Sequence, residues 1–344
     1  MALALYPWQS ELAWELVAMR ESLPNGLLIY GERGTGLFEL VHRFAKSLLC
    51  EAPEADGTPC GHCKGCAMTG AYTHPDLRYI VSEAEALPRS IPFEAPENAT
   101  ADRKNLYREI LIHQTRPLGE FLTLKSHEGG RRVVLVYPAD QIRAEAAASL
   151  LKSLEEPPEN TTFLLVADEI DNVLATIRSR CRLLRAPMPR RETALEWLRA
   201  QNVEDPERRL TEAGGRPLEV FETDERRNLL PEEREAILRV LCAGPDAAVH
   251  EAIASVSKSI ALPAAAMMFS RWAFDLAGAL SRVPPRYFPE KAGVLAALAA
   301  RTTPAKIFPW INSVRDVRRV EDHPINAKVV VEQLLLAYLR AFVK

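Results

Sequence analysis

The clearest chemistry in this sequence lies in its cysteines. Nine residues separate Cys50 from CGHCKGC, which sets Cys60, Cys63 and Cys66 at successive Cys-x-x-Cys intervals. Two-residue gaps let neighbouring sulfurs converge on one ion, glycines relieve the turn, and four thiolates suit tetrahedral zinc. Four sulfurs leave no coordination position for water, so the expected role is structural, with one ion bound. His62 stands between ligands of the tight turn and reads as a solvated neighbour. Cys181 and Cys242 are isolated and read as small apolar residues.

A second pattern occupies Leu27 to Phe38, LLIYGERGTGLF, an apolar strand running into a glycine-rich turn and then a helix. Gly31, Gly34 and Gly36 stand where a phosphate-binding loop has its glycines, but Leu37 and Phe38 replace the lysine and the hydroxyl that follow them. The first of these should reach the β- and γ-phosphates and the second should hold magnesium. ATP hydrolysis by this chain is therefore not expected, and no nucleotide is expected as a cofactor. Backbone amides at a helix N-terminus can still hold a phosphate without the lysine. A working site would need a substitute cation near Gly36, for which Arg33 and Lys46 are the nearby candidates.

The run VVLVY at Val133 to Tyr137 suits a buried central strand. In nucleotide hydrolases such a strand often ends in acidic residues that hold magnesium. Here it ends Tyr137-Pro138-Ala139, and Asp140, arriving late, reads as a helix cap or surface residue. Farther on, Arg178, Arg180 and Arg182 alternate in IRSRCR, so a strand would place all three on one face. By spacing alone they form a solvated basic edge, although arginine also serves as a finger that steadies phosphate charge in a neighbour's site.

These residues need a scaffold, and the composition allows a large one. The 344 residues, 47% of them apolar, suffice for two or three domains, and a net charge of −3 lacks the footprint of an autonomous nucleic-acid binder. Any DNA contact is expected to be shared with partners. MALALYPWQS lacks the charged start and cleavage site of a signal peptide, and no apolar run approaches the eighteen or so residues that span a bilayer. The expected location is the cytoplasm, without membrane contact, where thiols stay reduced.

Periodicity predicts a helix through Leu12, Leu16, Val17 and Met19 and another from Leu40 to Leu49. Strands are expected at Leu77 to Val81 and Phe163 to Ala167, with a helix from Glu145 to Leu154 stopped by Pro157-Pro158. Ser82 to Asn105, with Pro88, Pro92 and Pro96 among acidic residues, reads as an irregular surface excursion without chemistry. Beyond Pro187-Met188-Pro189 strand signals vanish. Helices are expected through a small unit to about residue 225, broken at Gly214-Gly215, and then at Ala236 to Cys242, Ala264 to Leu280, Ala292 to Ala300 and Val329 to Phe342.

Five stretches stand out together: YPW at Tyr6 to Trp8, Cys50 with CGHCKGC, THPD at Thr73 to Asp76, SLLKSLEEPP at Ser149 to Pro158, and LATIRSRCRLL at Leu174 to Leu184. PINAKVVVEQLLL at Pro324 to Leu336 is a weaker mark. With these the chain resembles, over nearly its whole length, the delta-prime family of bacterial DNA polymerase III clamp-loader subunits, relatives of the AAA+ ATPases. LEEPP followed by SRC marks clamp-loader subunits, the zinc module narrows the resemblance to the ATPase subunit and delta-prime, and the broken phosphate loop favours delta-prime.

The resemblance implies an α/β plus all-α chain. An AAA+-like domain over 1–188 carries the zinc module at about 50–66, a small helical lid follows over 189–228, and a helical collar over 229–344 closes a five-subunit ring. It further implies a non-hydrolysing subunit of the DNA polymerase III holoenzyme, a DNA-directed DNA polymerase, acting at replication forks on the nucleoid. Expected partners are the gamma/tau ATPase subunit and the delta subunit, with the sliding clamp and primer-template DNA reached through the complex. Ser179, Arg180 and Cys181 match the family's SRC motif, and Arg180 would be the finger placed in trans on a neighbour's ATP, which reverses the weight given to a solvated edge. An active AAA+ clamp-loader ATPase is the alternative.

Overall fold

Short, nearly continuous apolar strands build the first half of the chain. The computed structural model describes residues 5–96, 106–123, 130–221, 229–248, 260–321 and 325–342. β1 (Gly26–Tyr30), β2 (Leu77–Val81), β3 (Arg132–Tyr137), β4 (Thr161–Ala167) and β5 (Arg182–Arg185) form one parallel sheet in the order β2-β3-β4-β1-β5. In this register Leu28 stands beside Leu165 on one side and Leu183 on the other.

Successive side chains of a strand point to opposite faces, so β1 to β4 each feed two cores, whereas edge strand β5 buries only Leu184, in one of them. Leu27, Ile29, Val133, Leu135, Leu164 and Val166 enter one, packed by α1 (Ser10–Ala18) and α2 (Leu37–Leu48). Leu28, Val134, Val136, Phe163 and Leu165 enter the other, covered by α7 (Ala144–Glu155) through Ala146, Ala147, Leu150 and Leu154. Burial on both faces is why β3 and β4 read as continuous apolar runs. Among the described residues the other α-helices here are α3 (Lys64–Gly70), α4 (Glu83–Ala86), α5 (Ile112–Thr115), α6 (Leu118–Thr123), α8 (Ala175–Arg178) and α9 (Arg191–Ala200), with short 3-10 turns such as Leu87–Arg89 between elements.

Two sequence expectations are corrected. Residues 83–89 are helical, not irregular, and Glu83, Glu85, Ala86 and Ile91 are buried; residues 97–105 of that excursion lie outside the described residues. The cause is tertiary, since Ala86 and Ile91 join the core beneath β1 and β3. The arginine alternation is not a strand either. Leu174 O accepts from the Ile177 and Arg178 amides and Ala175 O from Ser179, so Arg178 ends a helical turn and only Arg182 lies on β5.

The chain divides into two compact units, Met1–Asn202 with Arg216–Leu218, and Val203–Gly215 with Glu219–Lys344. The second is helical: α10 (Pro206–Glu212), α11 (Pro231–Ala243), α12 (Leu262–Leu280), α13 (Ala292–Ala299), α14 (Pro304–Val320) and α15 (Ala327–Arg340). Among them α14 carries a proline, Pro309, inside it, yet it sends Ile307, Trp310 and Val314 into the core. Two buried polar networks there are well paired. Trp272 Nε1 donates to Tyr338 Oη at 3.1 Å, and that hydroxyl donates to Leu241 O at 2.9 Å. The buried Asp275 carboxylate accepts from the Arg286, Tyr287 and Phe288 amides. Among the described residues no helix is long and apolar enough to cross a membrane.

Candidate functional site

The four expected ligands come together. The Sγ atoms of Cys50, Cys60, Cys63 and Cys66 all lie within 4.8 Å of one another, with Cys50 to Cys63 at 3.8 Å and Cys60 to Cys66 at 3.9 Å. Sulfurs held 2.3 Å from a tetrahedral zinc stand about 3.8 Å apart, so the donor set fits that ion. Backbone amides point at the sulfurs: Cys60 N to Cys50 Sγ at 3.3 Å, Cys63 N to Cys60 Sγ at 3.4 Å and Cys66 N to Cys63 Sγ at 3.3 Å. Such bonds favour thiolate, and a cation must balance the charge. Acidity is uneven, for burial pushes the Cys66 thiol up to about 12, whereas hydrogen bonds from the His62 and Cys63 amides bring Cys60 down to about 7.

Local sequence explains this geometry. Cys63 caps α3, which starts just beyond it, and a Cβ on Gly65 would lie 2.4 Å from the Leu49 carbonyl, so only glycine lets the helix approach the end of α2. His42, buried on α2, donates from Nε2 to Thr69 O at 3.2 Å and stacks on Tyr72, tying the module to the sheet domain. His62 is exposed, as expected of a neighbour. Cys181 and Cys242 are half-buried and stand outside the cluster.

The phosphate loop has the expected shape, with Gly34 and Gly36 at positive φ and α2 beginning at Leu37. The segment Tyr6 to Gln9 packs against this loop. A Cβ on Gly36 would lie 2.4 Å from the Tyr6 ring, so this glycine makes room for an aromatic side chain. Gln9 Nε2 donates to the Thr35 and Gly36 carbonyls at 3.0 and 2.7 Å, and Trp8 Nε1 donates to Thr35 O at 2.9 Å. Leu37, against Gly31, and Phe38 are buried in the core.

Arg89, from the excursion, supplies a cation beside the replaced positions. Its guanidinium lies 4.8 Å from the Phe38 ring centroid and 5.6 Å from that of Tyr137. Nε pairs with Glu39 at 3.2 Å and Nη1 with Glu85 at 2.7 Å. Burial opposes this charge, but the two carboxylates outweigh it and hold the group above its ordinary value. Arg33 is engaged with Glu85 at 3.0 Å, and Lys46, on the last turn of α2, reaches Gly70 of the zinc helix instead of Gly36. Neither of these cations stands in for the missing lysine. No motif marked Arg89, and no sequence signal pointed to it.

Asp140 is neither helix cap nor free surface, which corrects its sequence reading. Its Oδ1 accepts from the Asp168 amide at 3.0 Å, joining the ends of β3 and β4. Tyr137 Oη donates to Asp168 Oδ2 at 3.3 Å. Burial pushes the Asp168 carboxyl up to about 7; Arg33 opposes the rise, and Asp140 and Glu85 add to it.

The SRC residues lie between α8 and β5. Ser179 is exposed, Arg180 and Cys181 are half-buried, and Cys181 Sγ packs against Gly26 at the start of β1. Arg180 pairs with Glu155 at the end of α7, which brings the LEEPP and SRC stretches into contact.

A family model described as DNA polymerase III, delta subunit, matches residues 11–189. Curated relatives carry the name DNA polymerase III subunit delta-prime. The Pseudomonas aeruginosa protein is 37% identical over 218 residues, covering 62% of this chain and 60% of the relative. The Haemophilus influenzae protein is 32% identical over 238 residues, 66% and 65%. The Escherichia coli protein is 35% identical over 195 residues, 56% and 52%. The chain thus spans roughly half to two thirds of these relatives' length.

Proposed function

Since this chain belongs to the DNA polymerase III delta-subunit family and resembles its delta-prime members, we propose that it is a non-hydrolysing clamp-loader subunit that completes a neighbour's ATP site. One observation carries the reading. Tyr6 packs on Gly36 and Arg89 stands beside Phe38 at a phosphate loop that lacks its lysine and hydroxyl, while Arg180 stands half-buried at the end of a helical turn. A site with Leu37 and Phe38 in place of the lysine and hydroxyl lacks the groups that grip the γ-phosphate and magnesium, and a guanidinium at the surface can reach phosphate charge in another subunit.

In this reading Arg180 acts in trans on the ATP of the gamma/tau ATPase subunit. The chain takes its place with that subunit and with delta in a five-subunit ring, and meets the sliding clamp and primer-template DNA through the ring. The AAA+-like domain to residue 188, the lid over 189–228 and the collar from 229 belong to the same proposal, as do zinc as the metal on the four cysteines and a place at replication forks. The family and the position of the four sulfurs support it.

The test is ATP hydrolysis by a reconstituted loader with clamp and primed DNA, with the chain present or omitted, alongside the chain alone. The expected result is an inert chain whose omission lowers hydrolysis by the complex. Turnover by the pure chain, abolished by changes at Gly36 or Leu37, would overturn it in favour of an active ATPase.

A further inference from the structure

Arg180 does not present an empty fork. Its Nε donates to Glu155 Oε1 at 2.5 Å, and Nη2 closes on the same oxygen. On its other side, Nη1 donates to the Thr176 carbonyl at 2.9 Å and to Ser179 Oγ at 3.2 Å. The edge formed by Nε and Nη2 is one with which arginine grips a phosphate or a carboxylate side-on. Glu155 thus holds, inside this chain, an edge that a neighbour's phosphate would need.

Helix stability does not account for a carboxylate at this position. Glu155 is the last residue of α7, where the helix presents its partial negative charge and an anion is unfavourable. The guanidinium relieves that repulsion. The Nη1 bonds also fix the plane of the fork to the α8 turn independently of Glu155, so replacing one acceptor by another requires no search for the right orientation.

We propose that Glu155 is a positioning residue that latches Arg180 and yields it to the neighbour's γ-phosphate, and this rests on the reading of Arg180 as the finger. The latch is weak. The Arg180 and Glu155 side chains are 32% and 47% exposed, and an ion pair so exposed shifts an equilibrium by at most about fivefold. That is enough to lower hydrolysis when the ring is not fully assembled on DNA, and too little to block it once the phosphate is in place.

The experiment uses the assembled loader, measuring ATP hydrolysis and the KM for ATP with and without primed DNA and clamp. The chains compared are wild type, Glu155→Gln, Arg180→Ala and the double variant, with assembly followed by size-exclusion chromatography. Glu155→Gln should raise the DNA-independent rate about two- to fivefold and lower the KM. It should leave the stimulated rate unchanged, so that the stimulation ratio falls. On the Arg180→Ala background the same substitution should do nothing.

If Arg180→Ala depresses hydrolysis while Glu155→Gln changes neither rate nor KM, the latch is overturned and the finger stands. Unaltered hydrolysis with Arg180→Ala removes the finger and the latch together. An effect of Glu155→Gln that persists without Arg180 also overturns the latch. Glu155→Asp keeps the charge but withdraws it by a methylene, and gives an intermediate rise if assembly of the Gln variant fails.

Discussion

The guanidinium carbon of Arg89 lies 4.8 Å from the centre of the Phe38 ring. Phe38 stands where a working phosphate loop places the hydroxyl that holds magnesium. Tyr137, where the acidic end of the central strand would be, forms the second wall at 5.6 Å. An organic cation on two aromatic faces, with Glu39 and Glu85 as counter-ions, therefore stands beside the two replaced positions.

Removing that cation should be felt throughout the sheet domain. Arg89→Ala leaves Glu39 without its ion-pair partner here and the buried Glu85 dependent on Arg33, and should cost about 2–3 kcal/mol in urea denaturation. Arg89→Lys should recover only part of this, because an ammonium lacks the planar fork that spans both carboxylates and both rings. Equal stability of wild type and Arg89→Ala would reduce the contact to surface decoration.

The metal centre makes a compositional prediction. Protein purified without chelator should carry about one zinc ion per chain, and Cys63→Ser should lose it. Because Cys63 also caps α3, residues 50–70 should become sensitive to protease in that variant. Fully folded, metal-free wild-type protein would refute the assignment.

Arg180→Ala should leave folding and ring assembly intact and depress DNA-stimulated hydrolysis by the partner ATPase. Fingers in other systems contribute about a thousandfold or more, so a loss well beyond tenfold is expected. The chain's own thermal unfolding should change little, since the Glu155 pair is exposed.

Asp168 gives a pH dependence of known sign. Its folded value, near 7, exceeds the ordinary 3.8, so the native state holds a proton that the unfolded chain has released. This contribution to stability is complete below about pH 4, declines as the pH rises, and is gone above about pH 7. The whole span corresponds to as much as about 4 kcal/mol. Asp168→Asn should flatten the stability profile between pH 4 and 7 and be the more stable protein at pH 8, as measured by urea midpoints across that range. A wild-type profile of the same shape as the variant's would show that Asp168 ionises normally.

What the sequence determined by itself is what short-range pattern encodes. The four ligands fall within one stretch from Cys50 to Cys66, so spacing alone predicts their convergence, and the sulfurs do converge. The missing lysine and hydroxyl are legible because the loop is a contiguous motif, and the apolar runs at β3 and β4 announce strands buried on both faces.

The arginines show where pattern reaches its limit. Alternation at Arg178, Arg180 and Arg182 looks like a strand, but the Leu174 and Ala175 carbonyls close a helical turn first. Tertiary structure decided the rest: Tyr6 against Gly36, Arg89 between Phe38 and Tyr137, Asp140 on the Asp168 amide, Glu155 on Arg180. These pairs are separated by tens of residues and follow no periodicity. They meet because a parallel sheet gathers the carboxyl ends of its strands along one edge and their starts along the other, and its strand order, unlike the strands themselves, is fixed only by the packing of the whole core.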